Sequence, residues 1–224
     1  MKDIGVVLLS GGLDSCVTTA IAAQQHAQLA LLHLNYGQRT QARELQAFFD
    51  IAAHYAVDAQ HQLIVELPSI AKVGGSSLLH DGPEVPDADL DSNEIPSTYV
   101  PFRNGQILAI AAGWAEVIEA SAIYVGAVEE DSSGYPDCRQ SFFAAFAEAI
   151  KQGTKPGFAP TIETPLIDMS KADIVRRGIK LKAPLDKSWS CYSDEDLACG
   201  QCESCLLRLR GFAQAGITDP ILYK

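Results

Sequence analysis

Three clusters in this chain hold residue types that do chemistry. The first is Ser10-Gly11-Gly12-Leu13-Asp14-Ser15, which directly follows the apolar run 4–9. Paired glycines let a backbone approach an anion closely, several amide N–H groups converge there, and a following helix adds its positive end. Such a turn suits phosphate. It lacks the GxxxxGK[ST] spacing and lysine of a Walker A loop, and it lacks the GxGxxG spacing of dinucleotide folds. Ser10 and Ser15 add hydroxyl donors. Asp14 is unusual beside phosphate and fits either an indirect magnesium ligand or a helix N-cap. The competing reading is a tight turn whose glycines serve packing alone.

The second cluster is Cys191-x7-Cys199-x2-Cys202-x2-Cys205, with Gly200 at its knuckle. Four thiolates close a tetrahedral zinc site and leave no coordination position for a substrate, so the expected role is structural. An iron–sulfur cluster is the competitor, against which stands the zinc-knuckle spacing. Cys16 and Cys138 stand apart from this group, a distribution that suits a metal better than a disulfide framework.

The third cluster is the polar loop 126–139, which gathers Asp131, Ser133, Tyr135, Asp137, Cys138 and Arg139. Carboxylates, hydroxyls, a phenol and a guanidinium in one loop can read the edge of a heterocycle. A polar turn closed by Pro136 and Asp137 is the plainer reading. Arg103, after Val100-Pro101-Phe102 and before Asn104, can pair with a phosphate or carboxylate. The histidines His26, His33, His54, His61 and His80 match no triad or metal spacing and are expected in core or surface roles.

These clusters need elements to hold them. Apolar runs at 4–9, 28–34, 60–67 and 122–126 read as buried strands, and 15–26, 40–55, 106–119, 139–152 and 170–177 read as helices, with a short strand at 161–164. In the helix at 40–55, Ala42, Leu45, Phe48, Phe49 and Ala52 are expected inward, and in that at 139–152 the stripe Phe142, Phe143, Phe146 and Ile150 is expected in core or dimer packing. Strands alternating with helices predict right-handed crossovers and a mostly parallel sheet covered on both faces, the doubly wound α/β class. Residues 68–104, rich in Pro and Gly, are expected to be an irregular lid. The division expected is a catalytic domain over 1–185 and a small helical zinc-binding segment over 186–224.

At 224 residues and 47% hydrophobic composition the chain can bury a full core. The formal charge of −11 argues against binding that rests on neutralising a phosphate backbone, so no direct nucleic-acid partner is expected. No stretch reaches the length of a membrane helix, and the N-terminal apolar run is too short for a signal-peptide core, so a cytoplasmic protein without membrane attachment is expected.

The six-residue turn resembles the PP-loop of the ATP pyrophosphatase superfamily, whose members cleave ATP between the α and β phosphates. With Tyr36-Gly37-Gln38-Arg39, the VPFRN and SSGYPDCR segments, Trp189-Ser190-Cys191-Tyr192 and CGQCESC in order along the chain, it resembles the 7-cyano-7-deazaguanine synthase family. The resemblance implies an adenine nucleotide alpha hydrolase-like fold. It further implies ATP with magnesium, a structural zinc, a homodimer, and the conversion of 7-carboxy-7-deazaguanine and ammonia to the nitrile through adenylated acid and amide. Ser10, Asp14, Ser15, Arg103 and Lys171 would be catalytic, and the run Leu9, Ser10, Gly11, Gly12, Leu13, Asp14, Ser15, Cys16, Val17, Thr18 and Thr19 would hold ATP. Asp131, Ser133, Tyr135, Asp137 and Arg139 would contact the deazaguanine, and Cys191, Cys199, Cys202 and Cys205 the metal. The rival enzyme class is the PP-loop tRNA thiolases; the non-enzyme rival is a nucleotide-binding sensor.

Overall fold

The computed structural model describes residues 1–86, 94–129 and 134–224. Five strands, β1 (Lys2–Leu8), β2 (Gln28–Asn35), β3 (Gln62–Glu66), β4 (Ala120–Tyr124) and β5 (Thr161–Glu163), form one sheet in the order β3-β2-β1-β4-β5. Every pairing is parallel. The doubly wound α/β class expected from the strand–helix alternation is therefore the fold observed. The order reverses direction between β1 and β4, and in open α/β sheets that switch point is where the strand ends leave a crevice for ligand.

Alternation along the strands sorts side chains to two faces. Ile4, Val6, Leu32 and Leu34 pack with Leu108 and Ala111 of α4 (Arg103–Ile118) and Phe143 and Ile150 of α5 (Gln140–Gly153). Val7, Leu9, Leu29 and Leu31 pack on the other face with α1 (Leu13–Gln25), α2 (Gln41–His54) and α6 (Lys171–Leu181), and Phe212 of α7 (Glu203–Ala215) joins them. The C-terminal segment thus shares a core with the sheet. Arg208, 1% exposed, makes a two-point ion pair with Asp219 at 2.8 and 3.0 Å and donates to Leu185 O and Ser188 Oγ.

Several expectations are corrected. Of the lid expected over 68–104, residues 87–93 lie outside the described residues; the part before them contains a short helix, α3 (Pro68–Val73), and is tied to the body by Arg39, whose guanidinium donates to Ser77 O and Gly82 O. Helix α4 begins at Arg103 rather than 106, because Phe102 turns into the left-handed region at φ 54° and sets the first turn without a side-chain cap. Helix α2 buries Ala47, Phe48, Ile51 and Ala52, while Ala42 and Phe49 face outward. In α5 Phe143 and Ile150 are buried and Phe142 and Phe146 are half-buried.

Candidate active site

The glycine turn sits at the switch point, leaving β1 and entering α1, and neighbours on two sides fix its path. Gly11 has φ +93°, and a Cβ there would stand 2.7 Å from the Glu44 carbonyl oxygen of α2. Gly126, just beyond β4, would place a Cβ 3.0 Å from Asp14 C and Ser15 N. Only glycine lets both segments approach the loop this closely. From above, Trp189 N donates to Gly11 O at 2.8 Å. Within the turn, Ser15 Oγ donates to Gly12 O at 3.0 Å and lies 3.1 Å from Ser10 Oγ. The serines therefore stiffen the cradle as well as line it.

Asp14 is not the N-cap; Gly12 holds that position. Both Asp14 oxygens accept from Lys171 Nζ, at 3.0 and 2.9 Å. Lys171 is delivered by α6, whose N-cap Ser170 accepts from Asp173 N. Its stem lies against Gly211 of α7, where a Cβ would meet Lys171 Cγ at 2.6 Å. An ammonium held on a carboxylate beside the glycine turn keeps a positive charge there without leaving it exposed.

Arg103 reaches the crevice from the start of α4 and donates to Tyr36 Oη at 2.9 Å. Asn104 anchors the polar loop: its backbone N–H donates to Asp137 Oδ2, and its amide to Asp137 O, all at 2.9 Å. Cys138 is buried against the same amide, and burial first of all pushes its thiol up to about 11, which leaves it protonated and a poor nucleophile. Glu44 lies in the first turn of α2, accepting from Thr40 Oγ1 at 2.7 Å and Gln38 Nε2 at 3.3 Å. Burial raises its carboxyl from 4.5 to about 6, against the lowering pull of those hydrogen bonds and of Arg103.

Two adjoining cavities fill the crevice. One, about 260 Å³, is walled by the turn, the ends of β1 and β2, Glu44 and Trp189. The other, about 180 Å³, is walled by Asp14, Lys171, Gly126, Tyr135, Tyr192 and Glu203, with further residues of α7. Asp14, Arg103, Gly126 and Tyr192 face both, so the spaces are continuous.

The structure brings Leu9, Ser10, Gly12, Leu13, Asp14, Ser15 and Arg103 to the first cavity and Lys171 and Tyr135 to the second. Gly11 lies beneath, against α2. Cys16, Val17, Thr18 and Thr19 are buried in α1 and support the turn from the core. Asp137 is 4% exposed and holds Asn104, while Arg139 is exposed and lines neither cavity. Asp131 and Ser133 lie outside the described residues. Glu44, Glu203 and Ser204 are cavity residues that sequence reasoning missed. The available signal was a carboxylate beside an already suspect motif: Glu44 follows Tyr36-Gly37-Gln38-Arg39, and Glu203 sits inside the cysteine run.

The four cysteines meet the demands of a metal. Their sulfurs all lie within 4.8 Å of one another. Four sulfurs set 2.3 Å from a central zinc stand about 3.8 Å apart, and Cys199 Sγ and Cys205 Sγ are 3.8 Å apart. Backbone N–H groups of Ser193, Asp194 and Cys199 point at Cys191 Sγ, and those of Gln201 and Cys202 at Cys199 Sγ. Such donors favour thiolates. The donor set fits a tetrahedrally held metal ion.

The family model for queuosine biosynthesis protein QueC matches residues 4–216. The chain belongs to the QueC family. It is 55% identical to the 7-cyano-7-deazaguanine synthase of Chloroherpeton thalassium over 98% of this chain and 96% of the relative, and 55% identical over the same shares to that of Chlorobium phaeobacteroides. Among solved structures it is similar in fold to a 4-thiouridine synthetase in an RNA complex with bound ATP. That similarity has TM-score 0.51 and 15% identity, covering 94% of this chain and 53% of the other.

Proposed function

We propose that this protein is a 7-cyano-7-deazaguanine synthase, converting 7-carboxy-7-deazaguanine and ammonia to the nitrile with cleavage of ATP to AMP and pyrophosphate. The observation that carries this reading is similarity to relatives of that name along essentially the whole chain, joined to a phosphate cradle at the sheet's switch point. Carboxylate oxygen is a poor leaving group and AMP a good one, so the acid is adenylated, ammonia displaces AMP to form the amide, and a second ATP activates the amide oxygen. Loss of that AMP with the last N–H proton leaves the C≡N bond.

In this reading Ser10, Gly11, Gly12 and Ser15 offer N–H and O–H donors to the departing pyrophosphate, where charge develops in the transition state. Arg103 and Lys171 add positive charge, and Asp14 holds the Lys171 ammonium in place while remaining available to a hydrated magnesium ion. Leu9 to Thr19 form the nucleotide cradle, and Tyr135, Asp137 and Arg139, with Asp131 and Ser133, belong to the loop assigned to the deazaguanine. Residues 1–185 are assigned to catalysis and 186–224 to the segment stapled by zinc on Cys191, Cys199, Cys202 and Cys205. Zinc bound there would fix the fold of that segment. We also assign the protein to the cytoplasm, as a homodimer acting on small molecules without nucleic acid. The net charge of −11 and the lack, among the described residues, of a helix long and apolar enough to cross a membrane support this.

The test is incubation with ATP, magnesium, ammonium and 7-carboxy-7-deazaguanine, following AMP and nitrile by mass spectrometry. Two AMP per nitrile are expected, and absence of nitrile overturns the reading. One zinc per chain and a colourless protein are expected; broad visible absorption would refute zinc.

A further inference from the structure

The cavity beside the glycine turn has carboxylates of two kinds on its wall. Asp14 has both oxygens on Lys171 Nζ. Glu203 comes from the opposite end of the sequence, between the metal-site residues Cys202 and Cys205, at the start of α7. Its Oε2 accepts from Thr98 Oγ1 at 3.4 Å, and Thr98 Oγ1 in turn lies 2.7 Å from Tyr135 Oη. Since Thr98 donates its one proton to the carboxylate, Tyr135 donates to Thr98, and Glu203 is the acceptor of this chain of hydrogen bonds. It joins three segments that lie far apart in sequence: the end of the connection before α4, the polar loop after β4, and the cysteine knuckle.

A ring carrying a 2-amino-4-oxopyrimidine presents two adjacent N–H donors, the ring N–H and the exocyclic amine, and a carboxylate accepts both at once. We propose that Glu203 is the residue that reads this N–H edge of the substrate, a 2-amino-4-oxopyrimidine fused to a carboxylated five-membered ring. This rests on the function proposed above. The N–H edge and the carboxyl group are on opposite sides of such a bicycle, so an edge fixed on Glu203 leaves the carboxyl to the remaining wall, which includes Asp14 and Lys171 at the glycine turn. A structural metal then acquires a reason to stand beside the active site: closing thiolates on both sides of Glu203 holds the reading carboxylate rigid.

The assay is acid-dependent exchange of labelled pyrophosphate into ATP, run with 7-carboxy-7-deazaguanine and with its analogue lacking the 2-amino group. Removing one donor to a charged acceptor is worth roughly 10- to 100-fold in kcat/KM, so the wild type is expected to prefer the amino acid substrate by that factor. Glu203→Gln is expected to reduce the preference to about threefold or less, acting through KM for the acid, with KM for ATP and zinc content unchanged; Thr98→Val is expected to reduce it partly. A wild type indifferent to the 2-amino group overturns the inference even if no variant folds, as does a Glu203→Gln enzyme that keeps the full preference. A wild type that exchanges with neither acid overturns the proposed function instead.

Discussion

Gly11 and Gly12 are adjacent and look equivalent in sequence, yet the structure places different demands on them. At Gly11 a new Cβ meets φ +93°, 2.7 Å to the Glu44 carbonyl oxygen and 3.0 Å to Ala47 Cβ. At Gly12 the backbone is extended at φ −74°, and a Cβ would make ordinary contacts of 3.4 Å to Ser10 Oγ and 3.8 Å to Trp189 O. The left-handed conformation costs a β-carbon about 1–2 kcal/mol, and forcing it onto a backbone oxygen that cannot swing away costs about another 1–2 kcal/mol. The loop has two ways to respond. It can keep its shape and lower the stability of the whole protein, or it can move off α2 and lose alignment of its amides with the phosphates. The sum is therefore the quantity to measure. Gly11→Ala is expected to lose about 2–4 kcal/mol in total, from urea unfolding of the free protein plus ATP affinity by calorimetry, equal to roughly 30- to 700-fold if all appears in affinity. Gly12→Ala should unfold within about 1 kcal/mol of wild type. A Gly11→Ala total below about 1 kcal/mol would refute the view that contact with α2 sets the cradle's shape.

Other expectations follow from charges in the interior. The folded Glu44 carboxyl holds its proton more tightly than in the unfolded chain, so its contribution to stability is complete below pH 4.5 and is lost as pH rises through about 6. Its charged and titratable neighbours are Arg103, Glu195 and Tyr36. Glu44→Gln should gain up to about 2 kcal/mol over wild type between pH 4.5 and 7.5 in urea titrations of free protein; a pH-independent difference would show that the group stays ionised. Asp219→Asn removes the counter-charge of a guanidinium that is 1% exposed and should cost about 3–5 kcal/mol. Lys2→Gln, at a pair more than half exposed, should cost under about 1 kcal/mol. Cys199→Ser should lower metal content and weaken the acid's KM more than ATP's, because Glu203 of that segment faces the second cavity and not the first; an equal effect on both would detach the knuckle from substrate binding.

What was legible in the sequence was what local rules write. An apolar run, two glycines and an alanine-rich helix can only be strand, turn and helix, and four closely spaced cysteines bring their own geometry. The errors lie where long-range contacts decide. The connection before α4 looked irregular because Pro and Gly break its local pattern, whereas its described part is held by Ile70, Leu78, Leu79 and Val100 in the core and by Arg39 reaching the carbonyls of Ser77 and Gly82. The start of α4 carries no capping signal, since Phe102 supplies a left-handed turn instead of a side-chain acceptor. Glu44 reads as a solvent-facing residue on an amphipathic helix, and it becomes a cavity residue only because α2 abuts the glycine turn. Asp14 looked like a residue in search of a cation, and the cation proved to lie 157 positions away at Lys171.

The site divides along the same line. The glycine turn is placed by the sheet: β1 leads into it, β4 ends against it, and α1 begins from it, with glycines at 11 and 126 admitting the close approach. A protein only 15% identical shares this fold. The second cavity owes little to the strands. Its walls come from Asp14 of the glycine turn, Arg103, Lys171, the loop after β4 and the cysteine knuckle with the start of α7, the last two tied together through the Tyr135, Thr98 and Glu203 chain. Both are held by apolar packing as well as by polar bonds: Cys138 of the loop lies in the core with Phe143, and Cys191, Cys202 and Cys205 of the knuckle pack with Trp189, Ala198 and Ile221. In the function proposed above, the fold supplies the nucleotide chemistry and the attached segments choose the acid. Substitutions of residues that face one cavity alone, such as Glu44 or Glu203, should therefore separate into effects on ATP and effects on the second substrate, whereas Asp14 and Arg103, which face both, should affect each.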